Sequence, residues 1–181
     1  ITMVGIVDVD QGLFSSELRA LERMGQQILQ VGGRAGRGAL QGDVVLQTHQ
    51  PDHPLLQTLL SKGYAAFAED ILREREAALM PPFAYAALIR CSAIESHFAS
   101  EFLQQLVQLA QPVRPEGVML LGPIPSGMEK RAGRYYHQLL ILSAQRKALH
   151  QFLNLFLPLA RRQRTSNKIR WHIDVDPMES I

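Results

Sequence analysis

Tyr135-Tyr-His-Gln-Leu-Leu-Ile-Leu142, a stripe of Leu149, Phe152, Leu153, Phe156 and Ala160, and Ile169-Arg-Trp-His-Ile-Asp-Val175 read as strand, helix, strand. The last segment alternates. Ile169, Trp171, Ile173 and Val175 point one way and Arg170, His172 and Asp174 the other, the period of a strand with one buried face. The stripe recurs every three or four residues, which predicts a helix over 144–161 with one apolar side. Working back, 85–92 reads as a strand and 96–110 as a helix with Phe98, Phe102, Leu106 and Leu109 on one stripe. Val118–Gly122 reads as a short strand closed by Gly122-Pro123. From residue 84 the order is βαββαβ, the ferredoxin-like pattern of an α+β domain with four antiparallel strands backed by two helices.

The first part of the chain has a different grammar. Residues 2–9 are nearly all apolar, as in a parallel strand buried on both faces. Ser15 and Ser16 offer a helix N-cap with Glu17 in the first turn. Leu21, Met24, Ile28 and Val31 then follow at helical spacing, glycines at 32, 33, 36 and 38 end that helix, and 43–48 reads as a second strand. Strand, helix, glycine-rich turn, strand is a piece of an α/β sheet. Two strands cannot bury such an apolar run, so the neighbouring strands are expected upstream. Two helices follow, over 53–62 and 63–79, the second with Tyr64, Phe67, Ile71 and Leu72 on one side. Pro81-Pro82 stops it. The expected domains are therefore 1–82 and 83–181.

Composition narrows the function classes. The chain has 181 residues with 46% hydrophobic and 20% charged, ordinary for a globular protein. Cys91 is the one cysteine, too few for an internal disulfide or a zinc site, and the cytoplasm is the expected compartment. No apolar run is long enough to span a membrane. Charge is uneven: residues 1–83 hold 7 Lys/Arg against 10 Asp/Glu, whereas 84–181 hold 12 against 7. Between Pro123 and Arg170, Glu129 is the one acid among ten cations. That favours a polyanionic partner.

One segment carries recognisable chemistry: Gln30-Val-Gly-Gly-Arg34-Ala-Gly-Arg37. Gln30, Arg34 and Arg37 share one side of a helical exit. Paired guanidiniums beside glycines suit phosphate oxygens, which Arg grips bidentately while Gly lets the backbone approach. Gln-x-x-Gly-Arg-x-Gly-Arg resembles the last motif of superfamily 2 helicases. The flanks narrow the resemblance to the PriA family of primosomal replication-restart helicases: Asp8-Val-Asp10, Arg19-Ala-x-Glu22-Arg23, Gly42-Asp-Val-Val-Leu-Gln-Thr48, Pro51-x-His53-Pro, Pro81-Pro82-Phe83, Gly122-Pro-Ile-Pro125, Lys130-Arg-x-Gly-Arg-Tyr135 and Asp174-Val-Asp-Pro177. It covers essentially the whole chain. One departure is Gly32, where the family more often has Ala.

The resemblance implies a fold and an activity. Residues 1–82 would be the C-terminal part of the second RecA-like helicase lobe, and 83–181 a C-terminal domain that binds DNA and partners. The parent would be an ATP-dependent 3′→5′ DNA helicase that recognises stalled or branched forks and initiates primosome assembly. Arg37 would be the arginine finger and Arg34 the γ-phosphate sensor, both catalytic, with Gln30 completing the nucleotide contacts. ATP with Mg²⁺ would be shared with an upstream lobe, since no Gly-x-x-x-x-Gly-Lys-[Ser/Thr] loop occurs here. Zinc belongs to the full-length family and to no residue of this segment. The chain alone is therefore expected to have no ATPase activity.

Other candidates lie downstream. Lys130, Arg131 and Arg134 cluster at a loop, and Tyr135 opens the strand after it. Cations hold a backbone while aromatic faces stack bases, so this loop is a candidate DNA contact. The family resemblance implies branched and single-stranded DNA, the acidic tail of the single-stranded DNA-binding protein and other primosome proteins as partners, with Arg146 a candidate for the tail's carboxylates. Arg161, Arg162, Arg164, Lys168 and Arg170 read either as helix C-terminal charge or as a second DNA-facing patch. His49 and His53 lack a third ligand for zinc. The alternative for the whole chain is a non-catalytic nucleic-acid and protein-binding module on a ferredoxin-like sheet.

Overall fold

The structure, a computed structural model, describes residues 3–15, 17–34, 42–163, 165 and 168–177. The chain divides into two compact units, Ile1–Glu74 and Arg75–Met178.

In the first unit β1 (Met3–Ile6) pairs in parallel with β2 (Asp43–Leu46), Met3 opposite Asp43. Between them come a one-turn α1 (Asp10–Leu13) and α2 (Ala20–Gly32); α3 (Pro54–Lys62) and α4 (Tyr64–Ala77) follow. The core is Val9, Leu13, Met24, Ile28, Leu55, Leu56, Leu59, Phe67 and Ile71. Three local expectations are corrected. The first strand is shorter than residues 2–9, running from Met3 to Ile6; Met3 is 64% exposed in a sheet that, among the described residues, has two strands. The helix starts at Ala20, not after Ser15-Ser16: the Ser15 hydroxyl accepts the Glu17 N–H at 3.1 Å, closing a turn before the helix. Leu72 is exposed, since 100° per residue carries it off the line of Tyr64, Phe67 and Ile71.

The second unit is a four-stranded antiparallel sheet in the order β4-β5-β3-β6, formed by β3 (Tyr85–Ala93), β4 (Val118–Arg131), β5 (Arg134–Ser143) and β6 (Arg170–Val175). With α5 (Ser96–Ala110) after β3 and α6 (Arg146–Arg162) after β5, the order and pairing are those of the ferredoxin-like pattern. Ala87, Ile89, Cys91 and Ala93 of β3 and Leu139 and Ile141 of β5 face Phe102, Leu103, Leu106, Phe152 and Phe156 of the helices. Phe152 and Phe156 stack with centroids 5.3 Å apart. Burial raises the Cys91 thiol to about 12, so it is a packing group.

The largest departure is β4, which runs far beyond Gly122-Pro123 to Arg131. Glycine and two prolines read locally as a stop. They are tolerated because β4 lies at the sheet edge, where a missing N–H breaks no second ladder. Its pairing to β5 shifts register after Leu121 and after Pro125 instead of ending. At the other edge Val175, placed inward by alternation, is 41% exposed; Ile169, Trp171 and Ile173 do pack on the core.

Candidate functional site

Two of the three predicted nucleotide-site residues fall among the described ones. Gln30 lies in the last turn of α2 and Arg34 two residues past its end, both exposed. The Gly33 N–H donates to Leu29 O at 2.8 Å and the Arg34 N–H to Val31 O at 3.0 Å, so the helical path carries through to Arg34. Gln30 and Arg34 are thus one turn apart on an open side. Arg37 lies outside the described residues. A Cβ on Gly32 would sit 3.9 Å from Val44 Cγ2, ordinary contact, so alanine fits there without disturbing Arg34.

The structure adds a cluster that linear spacing could not reveal. Asp10, just past β1, meets Thr48 and His49, just past β2. The Thr48 hydroxyl donates to Asp10 Oδ1, the His49 N–H donates to Oδ2 at 2.8 Å, and His49 Nδ1 lies 2.6 Å from Oδ2. These bonds, Thr48 first, pull the Asp10 carboxyl down to about 2. The chain returns along α2 from the end of β1 to the start of β2, so Arg34 and this cluster lie at opposite ends of the parallel pair.

In the second unit the basic loop is the tip of the β4–β5 hairpin. Ala132 and Gly133 form its two-residue turn, both with positive φ (48° and 75°), the geometry of a type I′ turn whose twist matches the strands. Lys130 faces Tyr135 and Arg131 faces Arg134 across the ladder. Lys130 Nζ stands 4.9 Å from the Tyr135 ring centroid, within cation–π reach. Lys130 and Arg131 are exposed. Arg134 is engaged differently: its guanidinium donates to Ser92 Oγ at 3.2 Å, Ser92 O at 2.8 Å and Lys168 O at 2.7 Å. It ties the hairpin to the end of β3 and to the segment entering β6.

Beneath the hairpin a buried histidine joins it to α5. Ser96 Oγ lies 2.9 Å from His137 Nε2 and donates to Glu129 Oε1 at 3.2 Å. One assignment satisfies both contacts: His137 Nε2–H donates to Ser96, whose hydroxyl donates to Glu129. Nδ1 is then the bare ring nitrogen, buried and without a partner among the described residues. A proton there would find no acceptor. Burial accordingly lowers the His137 pKa, opposed in part by Glu129.

Arg146 opens α6 and is exposed, with Lys147 and His150 near it. α6 runs from the end of β5 to the start of β6, so Arg146 lies at the end of the sheet away from the hairpin, roughly 25 Å along the helix axis from Arg162.

The sequence profile described as Primosomal protein N C-terminal domain matches residues 76–178. The chain belongs to this family. Replication restart protein PriA of Haemophilus influenzae is 44% identical over 179 residues, covering 99% of this chain and 24% of that protein. The PriA of Synechocystis is 35% identical over 98% of this chain and 21% of its own length, and that of Bacillus subtilis 28% over 98% and 22%. The chain therefore spans about a quarter of the length of the relatives it matches. The hairpin, α5 and α6 lie inside the PriA C-terminal family match; Gln30 and Arg34 precede it.

Proposed function

We propose that this chain is the C-terminal quarter of an ATP-dependent 3′→5′ DNA helicase that recognises branched forks and starts primosome assembly in replication restart. The observation that supports this best is the extent of the likeness: it runs through both units, so the arginine motif and the basic hairpin occur together in one protein. In this reading the first unit is the end of a RecA-like lobe. Arg34, open at the exit of α2, and Arg37 face the triphosphate, with Gln30 one turn above Arg34. Bound ATP supplies the phosphoryl group. This chain contributes cations that stabilise charge developing on it, and fingers of this kind are worth about 10³–10⁵ in rate. Mg²⁺ and the phosphate-cradling loop belong to the upstream lobe.

The second unit grips DNA. Lys130 and Arg131 meet phosphates, Tyr135 backs Lys130, and Arg134 holds the tip in place. Arg146, at the far end of α6, takes the carboxylates of the single-stranded DNA-binding protein's tail. The test uses the intact parent. Arg37→Ala and Arg34→Ala should each cut DNA-stimulated ATP hydrolysis by at least tenfold while fork binding persists. Lys130→Ala with Arg131→Ala should weaken fork binding and flatten its salt dependence. Unchanged hydrolysis in both arginine variants would remove the helicase reading of this motif.

A second reading, a binding module without chemistry, applies to the isolated chain. The second unit closes its own core with four strands and two helices, whereas the first unit's described sheet has two strands. ATP hydrolysis by the purified 181-residue chain would rule that reading out.

A further inference from the structure

α2 carries Gln30 and leads into Arg34, yet its own start is not locked by a cap. Arg19 stands at the N-cap position, and among the described residues no side-chain cap hydrogen bond is made there. Close packing at one turn locates the helix instead. Gly12 of α1 lies so near that a Cβ on it would sit 2.7 Å from Met24 Cβ, and a Cβ on Gly25 would sit 2.5 Å from Phe67 Cε1. Met24 and Phe67 are core residues, as are Leu13 and Ile28. α2 is therefore held most tightly at Met24 and Gly25, between α1 and α4. Arg34 lies roughly 15 Å further along the helical path.

α1 has only four residues, too few to hold a position by themselves. Its anchor is the Asp10 cluster. Beyond the two strands the Gln47 N–H donates to Ile6 O at 2.9 Å and the Val9 N–H to Gln47 O at 3.1 Å, so backbone pairing continues to the start of α1. Asp8 turns the chain with φ of 57°, a left-handed conformation that Asp adopts more readily than most residues. Asp10, the first residue of α1, then takes hydrogen bonds from Thr48 and from the backbone and ring of His49 on its one carboxylate. With its pKa at about 2, that group is ionised at any pH used for an assay. α1 is thus fastened to the end of β2 through Asp10, and α2 is seated on α1 through Gly12.

Resting on the reading of Arg34 and Arg37 as nucleotide-facing arginines, we propose that Asp10 is a positioning residue for ATP hydrolysis, acting with Thr48 and His49 through α1 and α2. The distance from Met24 to Arg34 sets the scale. A tilt of about 4° at Met24 moves Arg34 by roughly 1 Å, and a displacement of about 1 Å at a reacting centre costs on the order of 10²-fold in rate. A group that acts on the transition state alone lowers kcat when it is displaced and leaves KM in place.

The test measures DNA-stimulated ATP hydrolysis by the intact parent. Asp10→Ala and Gly12→Ala should each lower kcat about tenfold or more, with the KM for ATP and the fork affinity within about twofold. Asp10→Asn keeps an oxygen for the Thr48 hydroxyl and should recover part of the loss. With Arg34→Ala and Arg37→Ala both present, adding Asp10→Ala should change the residual rate by less than about twofold, because groups that act as a unit are not additive. Melting temperatures keep unfolding apart from mispositioning. If Asp10→Ala and Gly12→Ala melt below the assay temperature, Thr48→Val carries the test, with about a threefold loss of kcat expected. Parent-like kcat in the folded Asp10, Gly12 and Thr48 variants, where the arginine variants do lose hydrolysis, overturns the positioning role and leaves the helicase reading standing. An undiminished loss in the background without the two arginines also overturns it, as does a raised KM with kcat unchanged. Unchanged hydrolysis in both arginine variants removes the helicase reading itself, and this role with it.

Discussion

Replacing Arg134 should damage the fold more than the surface charge. Its guanidinium makes three hydrogen bonds, two of them to backbone carbonyls at 2.8 and 2.7 Å. A hydrogen bond from a charged donor contributes about 1.5–3 kcal/mol when well buried. Arg134 is only half-buried, so about 1 kcal/mol each is the appropriate scale, or roughly 2–3 kcal/mol for Arg134→Ala. For a unit of about 100 residues this lowers the melting temperature by roughly 10–20 °C. Arg134→Lys keeps the charge but loses the Nε–H bond to Ser92 Oγ and the planar group that sets Nη2 between the two carbonyls, so it should recover less than half of the loss. Lys130→Ala and Arg131→Ala remove exposed cations and should stay within about 0.5 kcal/mol of the parent. Thermal denaturation followed by circular dichroism separates the cases. The salt dependence of DNA binding then reads charge: Arg134→Lys should leave the slope in place, whereas each hairpin alanine should lower it by about 0.7 on single strands. An Arg134→Ala protein that melts within 2 °C of the parent would refute the bridging role.

Three further outcomes are expected. His137 has a folded pKa below its unfolded value because burial disfavours its cation; the unfolded chain then binds more protons as pH drops, so this contribution is full above the unfolded pKa of about 6.5 and is lost as pH falls towards the folded pKa. Urea melts at pH 7.5 and 5.5 should show that loss, and His137→Gln should reduce the difference. Gly133→Val forces a β-branched residue into a turn position with φ of 75° and should cost about 1–2 kcal/mol, visible as faster amide exchange at the hairpin tip and weaker DNA binding together. Gly25→Ala would place a Cβ 2.5 Å from Phe67 Cε1, a ring with no exposure; overpacking of about 1–3 kcal/mol outweighs the roughly 1 kcal/mol of helix propensity that alanine adds. Chemical denaturation of the first unit should show a net loss.

The elements that were legible are those whose signal is local. The stripes of α5 and α6 and the alternation of β6 repeat over several turns or pleats, so periodicity alone assigns their buried faces. Leu149, Phe152, Leu153, Phe156 and Ala160 all lie in the core as the spacing requires. β4 was misread beyond Gly122 because proline and glycine are local stop signals, while an edge position is a fact about the sheet. For the opening strand, apolar content states what a strand could bury, whereas the number of its neighbours is a property of the sheet; among the described residues it has one.

Candidate residues divide in the same way. Residue type and spacing picked out Gln30, Arg34 and Arg37, and also Lys130, Arg131, Arg134 and Arg146, because charge and glycine are visible one residue at a time. Sequence alone determined the ferredoxin-like order of the second unit and its excess of cations. Only tertiary structure decided that Asp10 is held by Thr48 and His49, that Arg134 is a bridge rather than a free cation, and that Lys168 and Phe98 share an end of the sheet with the hairpin. The physical reason is range. Helical and strand periods act over about ten residues, whereas these contacts close loops of 34 to 70 residues, and nothing in the intervening sequence encodes such pairings by spacing.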